Sequence, residues 1–379
     1  MSEQNQDSSE KSTDLEKTPL NAFHREQGAR MVDFAGWEMP VQYGGILEEH
    51  RAVRETAGLF DVSHMGEFTV AGPQAAAFLD SVLTNDISRI KEGRAQYNLM
   101  CYPEGGVVDD LIVYRTGPDG FLLCVNASNC EKDFVWLQQH AGDFDCSLRD
   151  DSRRYGLLAL QGPKAEAILK PLTRAMLGHL PSFALEETSV AGWDVTISRT
   201  GYTGEPGFEL FTPWSNTEPL ARALLEAGES VGLRLAGLGA RDSLRLEAGF
   251  PLYGHELSED ITPLQAGLGW AVKLRKSADF IGKDALQKEK AAGPGRRVAF
   301  FRTGQRRILR ENTALMAGGR EVGRVLSGTL SPMLNEAIGS ALVESSALEG
   351  RTVEAELRGK SFPLQWSKPP FYTSAHKST

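Results

Sequence analysis

Residues 96–126, QYNLMCYPEGGVVDDLIVYRTGPDGFLLCVN, contain three runs of strand-forming residues separated by two turn-forming segments. The first turn spans residues 103–106 and the second spans residues 116–120, and both are rich in Gly, Pro and Asp or Glu. Such segments between apolar runs favour chain reversal. The sequence therefore predicts three antiparallel strands.

Two adjacent acids, Asp109 and Asp110, lie in the middle strand. Side chains alternate along a strand, so these two carboxylates should point to opposite faces of the sheet. They are therefore not expected to act as a carboxylate pair on one face.

The register of the three strands follows from the two turns. We expect the first turn to pair Tyr102 with Val107 and the second to pair Arg115 with Phe121, and these two pairs determine which residues lie opposite each other. One face then carries a carboxylate and an amide among apolar and aromatic groups, namely Tyr97, Leu99, Asp110, Ile112 and Asn126. Such a face suits a flat heterocycle with polar edges, although a slip of one residue would remove it.

The whole chain has 379 residues, which is enough for two or three domains. No apolar run approaches the length of a membrane span, and the net charge of −9 argues against a nucleic-acid partner. Residues 291–379 nevertheless carry 13 Lys and Arg against 7 Asp and Glu. This basic part predicts a docking face for an acidic partner or an anionic substrate tail, with a merely solvated surface as the alternative.

The N-terminal residues 1–17 are polar and lack the apolar centre of a signal peptide, which predicts a disordered tail. The four cysteines show no CxxC spacing and are expected to be reduced: Cys101, Cys124, Cys130 and Cys146. Together these features predict a cytoplasmic protein.

Residues 287–295, QKEKAAGPG, predict a linker. Before it, helices and paired strands mix, which favours an α+β fold over a doubly wound parallel sheet. After it, short alternating segments separated by turns predict a small β-barrel or sandwich. We therefore expect an α+β region of two interleaved domains over residues 18–286 and a β-barrel domain over residues 296–379.

A second dense signal is the glycine-rich segment 199–210, RTGYTGEPGFEL. Its Glu209 lies between apolar residues, and a buried carboxylate requires a partner. Two interpretations stay open. Glu209 pairs with Arg199 or Arg241, or it accepts two parallel N–H donors from a ligand edge such as that of a 2-amino-4-oxopyrimidine.

Arg241 and Arg245 fall on one face of a helix predicted after a glycine-flanked loop at residues 236–247. They either form ion pairs with Asp242 or Glu247 or contact a ligand.

Common catalytic motifs are absent. The sequence has no GxxxxGK[ST], no intact GxGxxG, no HExxH and no GxSxG. The seven histidines have no metal-ligand spacing, and His64 and His255 are interpreted as structural. No metal site is predicted.

Five motifs occur in order and resemble a known family. They are MVDFAGWEMP at 31–40, FDVSHMGE at 60–67, GGVVDDLIVY at 105–114, SRTGYTGEPGFEL at 198–210 and GLGARDSLRLE at 237–247. Together they resemble the T proteins of the glycine cleavage system, the aminomethyltransferases, over essentially residues 18–372. The resemblance implies three domains around a central folate-binding channel, the last of them a β-barrel.

The resemblance also implies roles for individual residues. Asp110 matches the catalytic aspartate of the family, whereas Asp109 is expected to be structural. The folate-contacting residues implied are Tyr97, Asn126, Tyr202, Glu209 and Arg241, to which we add Leu99 on the same sheet face and Tyr372 near the C-terminus. Glu209 suits the amino edge of the pterin, which favours the ligand interpretation of this carboxylate.

Members of this family take the aminomethyl group from the lipoyl arm of the H protein. They pass its methylene carbon to N5 of tetrahydrofolate and release ammonia. The resemblance therefore implies tetrahydrofolate as co-substrate and the lipoylated H protein as partner, with functional links to the glycine decarboxylase and dihydrolipoamide dehydrogenase components. The folate nitrogen is the nucleophile, so Asp110 would orient the amine, stabilise positive charge or relay a proton. An arginine cluster could receive the acidic carrier: Arg296, Arg297, Arg302, Arg306, Arg307 and Arg310.

Two alternatives use related folds. A non-catalytic folate-binding module of the iron–sulfur assembly type carries a KGCYxGQE motif, whereas residues 278–284 read ADFIGKD without a cysteine. A related tetrahydrofolate-dependent demethylase would act on another methylated substrate, and the absence of a fused flavin domain disfavours enzymes of the dimethylglycine or sarcosine type.

Overall fold

The computed structural model of the chain describes residues 14–350, 352–357 and 359–373. Residues 1–13 of the predicted tail lie outside these described residues. The end of that segment is structured, because Glu16 N donates to Gly36 O over 2.9 Å and Glu38 N donates to Glu16 O over 2.8 Å. Glu16 thereby joins the edge of an N-terminal hairpin.

The helices of the described residues are α1 (Asn21–Glu26), α2 (Ile46–Glu55), α3 (Ala75–Val82), α4 (Cys130–Ala141), α5 (Ala165–Leu169), α6 (Thr217–Gly228), α7 (Leu238–Ala248) and α8 (Lys283–Ala292). None of them is long and apolar enough to cross a membrane.

The strands up to the end of the α+β region are β1 (Arg30–Phe34), β2 (Trp37–Gln42), β3 (Gly58–Asp61), β4 (Gly66–Ala71), β5 (Arg94–Cys101), β6 (Val107–Arg115), β7 (Gly120–Val125), β8 (Ser147–Asp150), β9 (Tyr155–Gln161), β10 (Leu185–Val190), β11 (Trp193–Ser198), β12 (Gly207–Pro213) and β13 (Arg234–Leu235). The C-terminal strands are β14 (Arg296–Arg302), β15 (Ala314–Ala317), β16 (Arg320–Ser331), β17 (Glu336–Glu344), β18 (Glu354–Leu357), β19 (Lys360–Pro363) and β20 (Gln365–Trp366).

A five-stranded sheet in the order β5-β6-β7-β4-β8 contains the three strands predicted from residues 96–126. Alternation along β6 sends Leu111 and Val113 into a core shared with α3 and α4. The residues between and after them, Ile112 and Tyr114, lie on the opposite face. That second face is the one predicted to carry the functional groups.

A six-stranded sheet in the order β10-β11-β12-β9-β3-β13 forms the second layer. The chain enters this sheet at β3, leaves it to build the five-stranded sheet, and returns at β9, directly beside β3. Helices α5 and α6 contribute to the core on one side. The other core joins the two sheets, where Phe60 and Phe211 pack in the same cluster as Tyr114 and Leu122.

The register around Asp110 is the predicted one, although the turn that was expected to set it differs. Cys101, not Tyr102, pairs with Val107. A β-bulge next to this pair absorbs the one-residue difference, and beyond it Leu99 lies opposite Asp110 as expected.

The C-terminal part is a curled seven-stranded sheet in the order β19-β18-β15-β16-β17-β14-β20. The predicted fold class, α+β with a C-terminal β-barrel domain, is thus confirmed. The linker expected at residues 287–295 is wrong in its first part, because residues 287–292 continue α8. Gln, Lys, Glu and Ala are strong helix formers, and the buried Leu286 anchors the helix, so only the Gly-Pro-Gly end breaks it.

Helix α7 carries a buried cation that binds the barrel. The Arg245 side chain is 1% exposed, and it donates to Glu256 over 2.7 Å and to Ser327 Oγ of β16 over 2.8 Å. Its guanidinium also contacts Asp242 at 2.8 Å, so the ion-pair interpretation holds for this arginine.

Helix α7 also carries a buried carboxylate, Glu247. It accepts from Arg54 Nε of α2 over 2.8 Å, lies 3.1 Å from His50 Nε2, and accepts from Ser331 Oγ of the barrel. Arg54 in turn donates to Glu205 of the glycine-rich segment over 2.8 Å. One buried network therefore joins α2, α7, the glycine-rich segment and the barrel.

We expect Arg245→Met to lower the free energy of unfolding by about 3–5 kcal/mol, because it leaves the Glu256 carboxylate buried without its cation. Urea unfolding followed by tryptophan fluorescence would measure the loss. The matched control is Arg222→Met, which breaks exposed ion pairs with Glu26 and Glu218 and should leave the transition unchanged. Equal effects of the two substitutions would contradict a structural role for the buried pair.

Candidate active site

Asp110 lies in β6 and is half-buried, and its carboxyl group is held by two donors. Tyr97 OH donates to Oδ2 over 2.9 Å, and Asn126 Nδ2 donates to Oδ1 over 3.0 Å. Tyr97 belongs to β5 and Asn126 directly follows β7, so three adjacent strands build the arrangement. The structure thus brings together three residues that the sequence predicts to share one face.

The surroundings make Asp110 a weak acid. Burial and, to a lesser extent, the charge of Asp109 raise its pKa to about 7, against the opposing effect of the hydrogen bonds from Tyr97 and Asn126. Burial also raises the pKa of the Tyr97 phenol, so this group remains a hydrogen-bond donor. A carboxyl group that titrates near neutral pH can both accept and release a proton.

Asp109 is directed away from this face and is fully buried. Its Oδ1 accepts from Asn129 Nδ2 over 2.6 Å and from Asn126 Nδ2 over 2.9 Å, and its Oδ2 accepts from Asn126 N over 3.1 Å. The same Asn126 amide therefore reaches both neighbouring carboxyl groups, a link that strand alternation does not predict because Asn126 lies beyond the last paired residue of β7.

Leu99 differs from its predicted role. It lies opposite Asp110 as expected, but it has no exposed surface and packs against Leu257, Leu268 and Ala271. The segment before α8 covers this end of the sheet face, so Leu99 supports the site from the core and offers no surface to a ligand.

Tyr202 of the glycine-rich segment and Arg241 of α7 lie together. The Arg241 guanidinium is 4.7 Å from the centre of the Tyr202 ring, and Tyr202 also stacks on Phe250 at 5.9 Å. The Tyr202 hydroxyl donates to Pro251 O. Burial raises the pKa of the Tyr202 phenol, the positive charge of Arg245 acts against this, and the charge of Asp110 adds to the rise.

Glu209 lies on β12 and faces the five-stranded sheet. It accepts from Thr200 Oγ1 over 2.5 Å and from Tyr114 OH over 3.5 Å. Arg199 instead pairs with Glu166 at 2.9 Å, and Arg241 lies over Tyr202. Within the part of the chain that the structure describes, no cation pairs with Glu209, so the proposed pairing with Arg199 or Arg241 is wrong.

Tyr372 lies at the end of the described chain. The Arg54 guanidinium is 5.5 Å from its ring centre, and the preceding Phe371 N donates to Glu247 O over 2.8 Å. Tyr372 is therefore attached to the α2–α7 network rather than to Asp110.

Trp270 is a neighbour of the site that the sequence did not indicate. Its ring stacks on Tyr97 at 5.5 Å with an interplanar angle of 30°, and 58% of the residue is exposed. It lies in a segment without helix or strand periodicity, so only its size and aromatic character could have marked it. Among residues 14–350, 352–357 and 359–373, no three His, Cys, Asp or Glu side chains are grouped to hold a metal ion.

Two family models match the chain. The GCVT N-terminal domain matches residues 20–276, and the glycine cleavage T-protein C-terminal barrel domain matches residues 296–373. These two domains define a transferase of the glycine cleavage T-protein class.

The chain is 48% identical to the aminomethyltransferase of Geobacillus sp. (strain WCH70), covering 95% of this chain and 100% of that protein. It is 46% identical to the aminomethyltransferase of Bacillus subtilis (strain 168), covering 94% of this chain and 99% of that protein. Its structure is similar to the crystal structure of glycine cleavage system aminomethyltransferase T from Bartonella henselae, with a TM-score of 0.89, 37% identity, and coverage of 95% of this chain and 99% of that one. The chain belongs to the glycine cleavage T-protein family, the aminomethyltransferases, so the resemblance seen in the motifs is confirmed. These relatives favour the transferase over both alternatives.

The weak acidity of Asp110 predicts a pH-dependent effect of Asp110→Asn on stability. The pKa of Asp110 is higher in the folded than in the unfolded protein, so its contribution to stability is complete below about pH 4 and is lost as the pH rises through 7. We expect Asp110→Asn to stabilise the protein by on the order of 2–4 kcal/mol at pH 8 and much less at pH 4.5.

Urea unfolding at both pH values would measure this difference. Asp279→Asn, at a carboxylate whose side chain is 88% exposed, is the control and should change stability equally little at each pH. A stability loss for Asp110→Asn that is the same at both pH values would contradict a raised pKa.

Proposed function

We propose that the chain transfers the methylene carbon of the aminomethyl group on the lipoyl arm of the H protein to N5 of tetrahydrofolate, with release of ammonia. The observation that carries this proposal is the weakly acidic carboxyl group of Asp110, which is held between a phenol and an amide. The reaction needs no protein nucleophile. Cys124 lies in β7, next to the strand that carries Asp110. Burial raises the pKa of its thiol, so this group is protonated and a poor nucleophile.

Asp110 would act at the amine that leaves. Nucleophilic attack by N5 on the methylene carbon forms one new bond and breaks the bond to the leaving nitrogen, which departs as ammonia and therefore needs a proton. The carbon–sulfur bond must then break, with its electron pair leaving on the dihydrolipoyl sulfur, while N10 of the folate takes the second bond to the methylene carbon. A carboxyl group with a pKa near 7 can supply that proton, and its ionised form stabilises the positive charge that develops on the methylene carbon. Tyr97 and Asn126 hold the carboxyl group in one orientation.

Tetrahydrofolate is supported as co-substrate by Glu209. This carboxylate has acceptor capacity that no described cation uses, and it faces the same interface as Asp110. It would accept two N–H donors from the amino edge of the pterin. The rings of Tyr97 and Tyr202 would flank the ligand, and Arg241 would provide positive charge for its anionic end. Tyr372 is a weaker candidate, because its ring contacts Arg54 of the α2–α7 network.

The lipoylated H protein is proposed as partner, with glycine decarboxylase and dihydrolipoamide dehydrogenase as further components of the system. The basic C-terminal domain supports an acidic carrier. Arg302 is paired with Glu336 at 2.5 Å, whereas Arg297 and Arg310 are exposed and form no ion pair within the described residues. All four cysteines lie in the described residues and are free thiols, which supports the proposed cytoplasmic location.

The first experiment is tetrahydrofolate-dependent ammonia release from aminomethylated, lipoyl-loaded H protein. We expect turnover by the wild type and a fall in kcat of about 10²–10⁴-fold for Asp110→Asn, because the acid–base group is lost. Asp279→Asn serves as the matched control and should retain full activity.

Folate binding, measured by calorimetry, separates the site from the reaction. Glu209→Gln should weaken binding by about 10–100-fold, since it replaces a charged acceptor by a neutral one. The exposed Glu187→Gln on β10 should not change it. Tight folate binding without ammonia release by the wild type would contradict the transferase proposal and favour a non-catalytic folate module or a different methyl donor.

Carrier docking is tested by charge reversal. We expect Arg297→Glu with Arg310→Glu to raise the KM for the H protein about tenfold at low salt, with the difference shrinking as salt screens the charges. Folate binding should be unchanged. Arg174→Glu with Arg234→Glu, at exposed sites of the α+β region, is the charge-matched control. Equal KM changes in both double variants would show that the C-terminal arginines are only a solvated surface.

A further inference from the structure

Asp133 is a buried carboxyl group that the proposed reaction does not use. It lies in the first turn of α4 and has no exposed surface. Among the described residues, no N–H or O–H group donates a hydrogen bond to either of its carboxyl oxygens. An ionised carboxylate without donors is strongly unfavourable in a buried place.

Asp133 instead lies within hydrogen-bonding reach of the Asp109 carboxyl group. Two buried carboxyl groups in contact cannot both be ionised, because the like charges repel and neither is solvated. A hydrogen bond between them requires one proton.

Of the two carboxyl groups, Asp133 is the one expected to carry the proton. Burial raises the pKa of Asp109, but this carboxyl group accepts three hydrogen bonds, from the Asn126 and Asn129 side chains and from Asn126 N, and these favour its ionised form. Burial and the adjacent Asp109 charge raise the pKa of Asp133 to about 11. Lys132 does not neutralise the pair, because its Nζ donates to Val108 O over 2.6 Å and to Tyr253 OH over 3.0 Å.

Asn126 connects this pair to Asp110. Its single Nδ2 atom donates to Asp109 Oδ1 over 2.9 Å, to Asp110 Oδ1 over 3.0 Å and to Asp110 O over 3.1 Å, so one amide group reaches both carboxyl groups. An ionised Asp109 fixes which way the amide is turned, and a neutral Asp109 could not hold it as firmly.

We propose that Asp109 and Asp133 share one proton and act as a positioning pair, which holds the Asn126 amide against Asp110 and places one fixed negative charge behind it. The role in positioning rests on the proposed function of Asp110, whereas the shared proton does not. The pair explains how adjacent acids on opposite faces act on one site.

Other titratable groups face these carboxyl groups from each packed element. They are Tyr97 on β5, Tyr102 in the first turn, Cys124 on β7, Cys130 and Lys132 on α4, Tyr202 in the glycine-rich segment, and Tyr253 after α7. Burial raises the pKa of the tyrosines and thiols among them, so they stay neutral around pH 7. Lys132 is a cation, but its Nζ is held by Val108 O and Tyr253 OH, so the negative charge behind Asp110 is that of the Asp109–Asp133 pair.

The test compares Asp133→Asn with Asp109→Asn in the pH dependence of the single-turnover rate. Asp133→Asn keeps a donor to Asp109 and a net charge of −1, so we expect an unchanged profile. Asp109→Asn removes that charge, so the limb that titrates with Asp110 should move to lower pH by about one unit or more. Equal shifts in both variants would indicate two ionised carboxylates, and no shift in either would indicate a neutral pair; both results would overturn the proposal.

Infrared spectroscopy tests the shared proton in the wild type, without variants or turnover. At pH 9 Asp110 is ionised, so a protonated-carboxyl band that shifts on labelling with [4-¹³C]aspartate should come from the pair. The buried Glu67, whose pKa burial also raises, would not shift with this label. Absence of the shifting band would overturn the proposal even if the chain proved to be an aminomethyltransferase. If the band were present but the protein had no transferase activity, the shared proton would stand, and only the role of the pair in catalysis would be contradicted.

Discussion

The charges on α7 constrain the rest of the molecule. Arg245 and Glu247 are both buried, and each finds its partners in another part of the chain: Arg54 in α2 and Ser327 and Ser331 in the barrel. Buried charges are tolerated only when such partners are in place, so the network fixes how α2, α7 and the barrel are arranged relative to one another. The start of the same helix carries Arg241, and its orientation over the site is therefore set by ion pairs one and two turns away.

The insertion of one sheet between two strands of another creates the site. Since β3 and β9 are neighbours, the chain that forms the five-stranded sheet leaves the six-stranded sheet and returns to it at the same place. One face of the five-stranded sheet therefore packs against the six-stranded sheet. Polar groups on that face are desolvated unless they find donors. Asp110 and Glu209 meet this condition in different ways, the first through Tyr97 and Asn126 and the second through Thr200.

Much of this site was readable from the sequence because strand alternation is a strong constraint. The faces of Tyr97, Asp110 and Asn126 were right even though the turn was wrong by one residue, since the bulge restored the register. Alternation says nothing about what covers a face, which is why Leu99 was placed at a ligand surface and Trp270 was missed. Both depend on the irregular segment before α8, whose apolar residues follow neither the helix nor the strand period, so its position could not be predicted from the sequence.

Asp109 and Asp110 show how two neighbouring residues of one type acquire different chemistry. Asp109 is fully buried but accepts three hydrogen bonds from N–H groups, which oppose the rise in its pKa that burial causes, whereas Asp110 has two donors and a like charge beside it. The ionised neighbour makes the second carboxyl group easier to protonate. Because side chains alternate along a strand, a structural carboxylate and a weak acid can follow one another in sequence and lie on opposite faces of the sheet. Asn126 contacts both and is the group through which Asp109 orients Asp110.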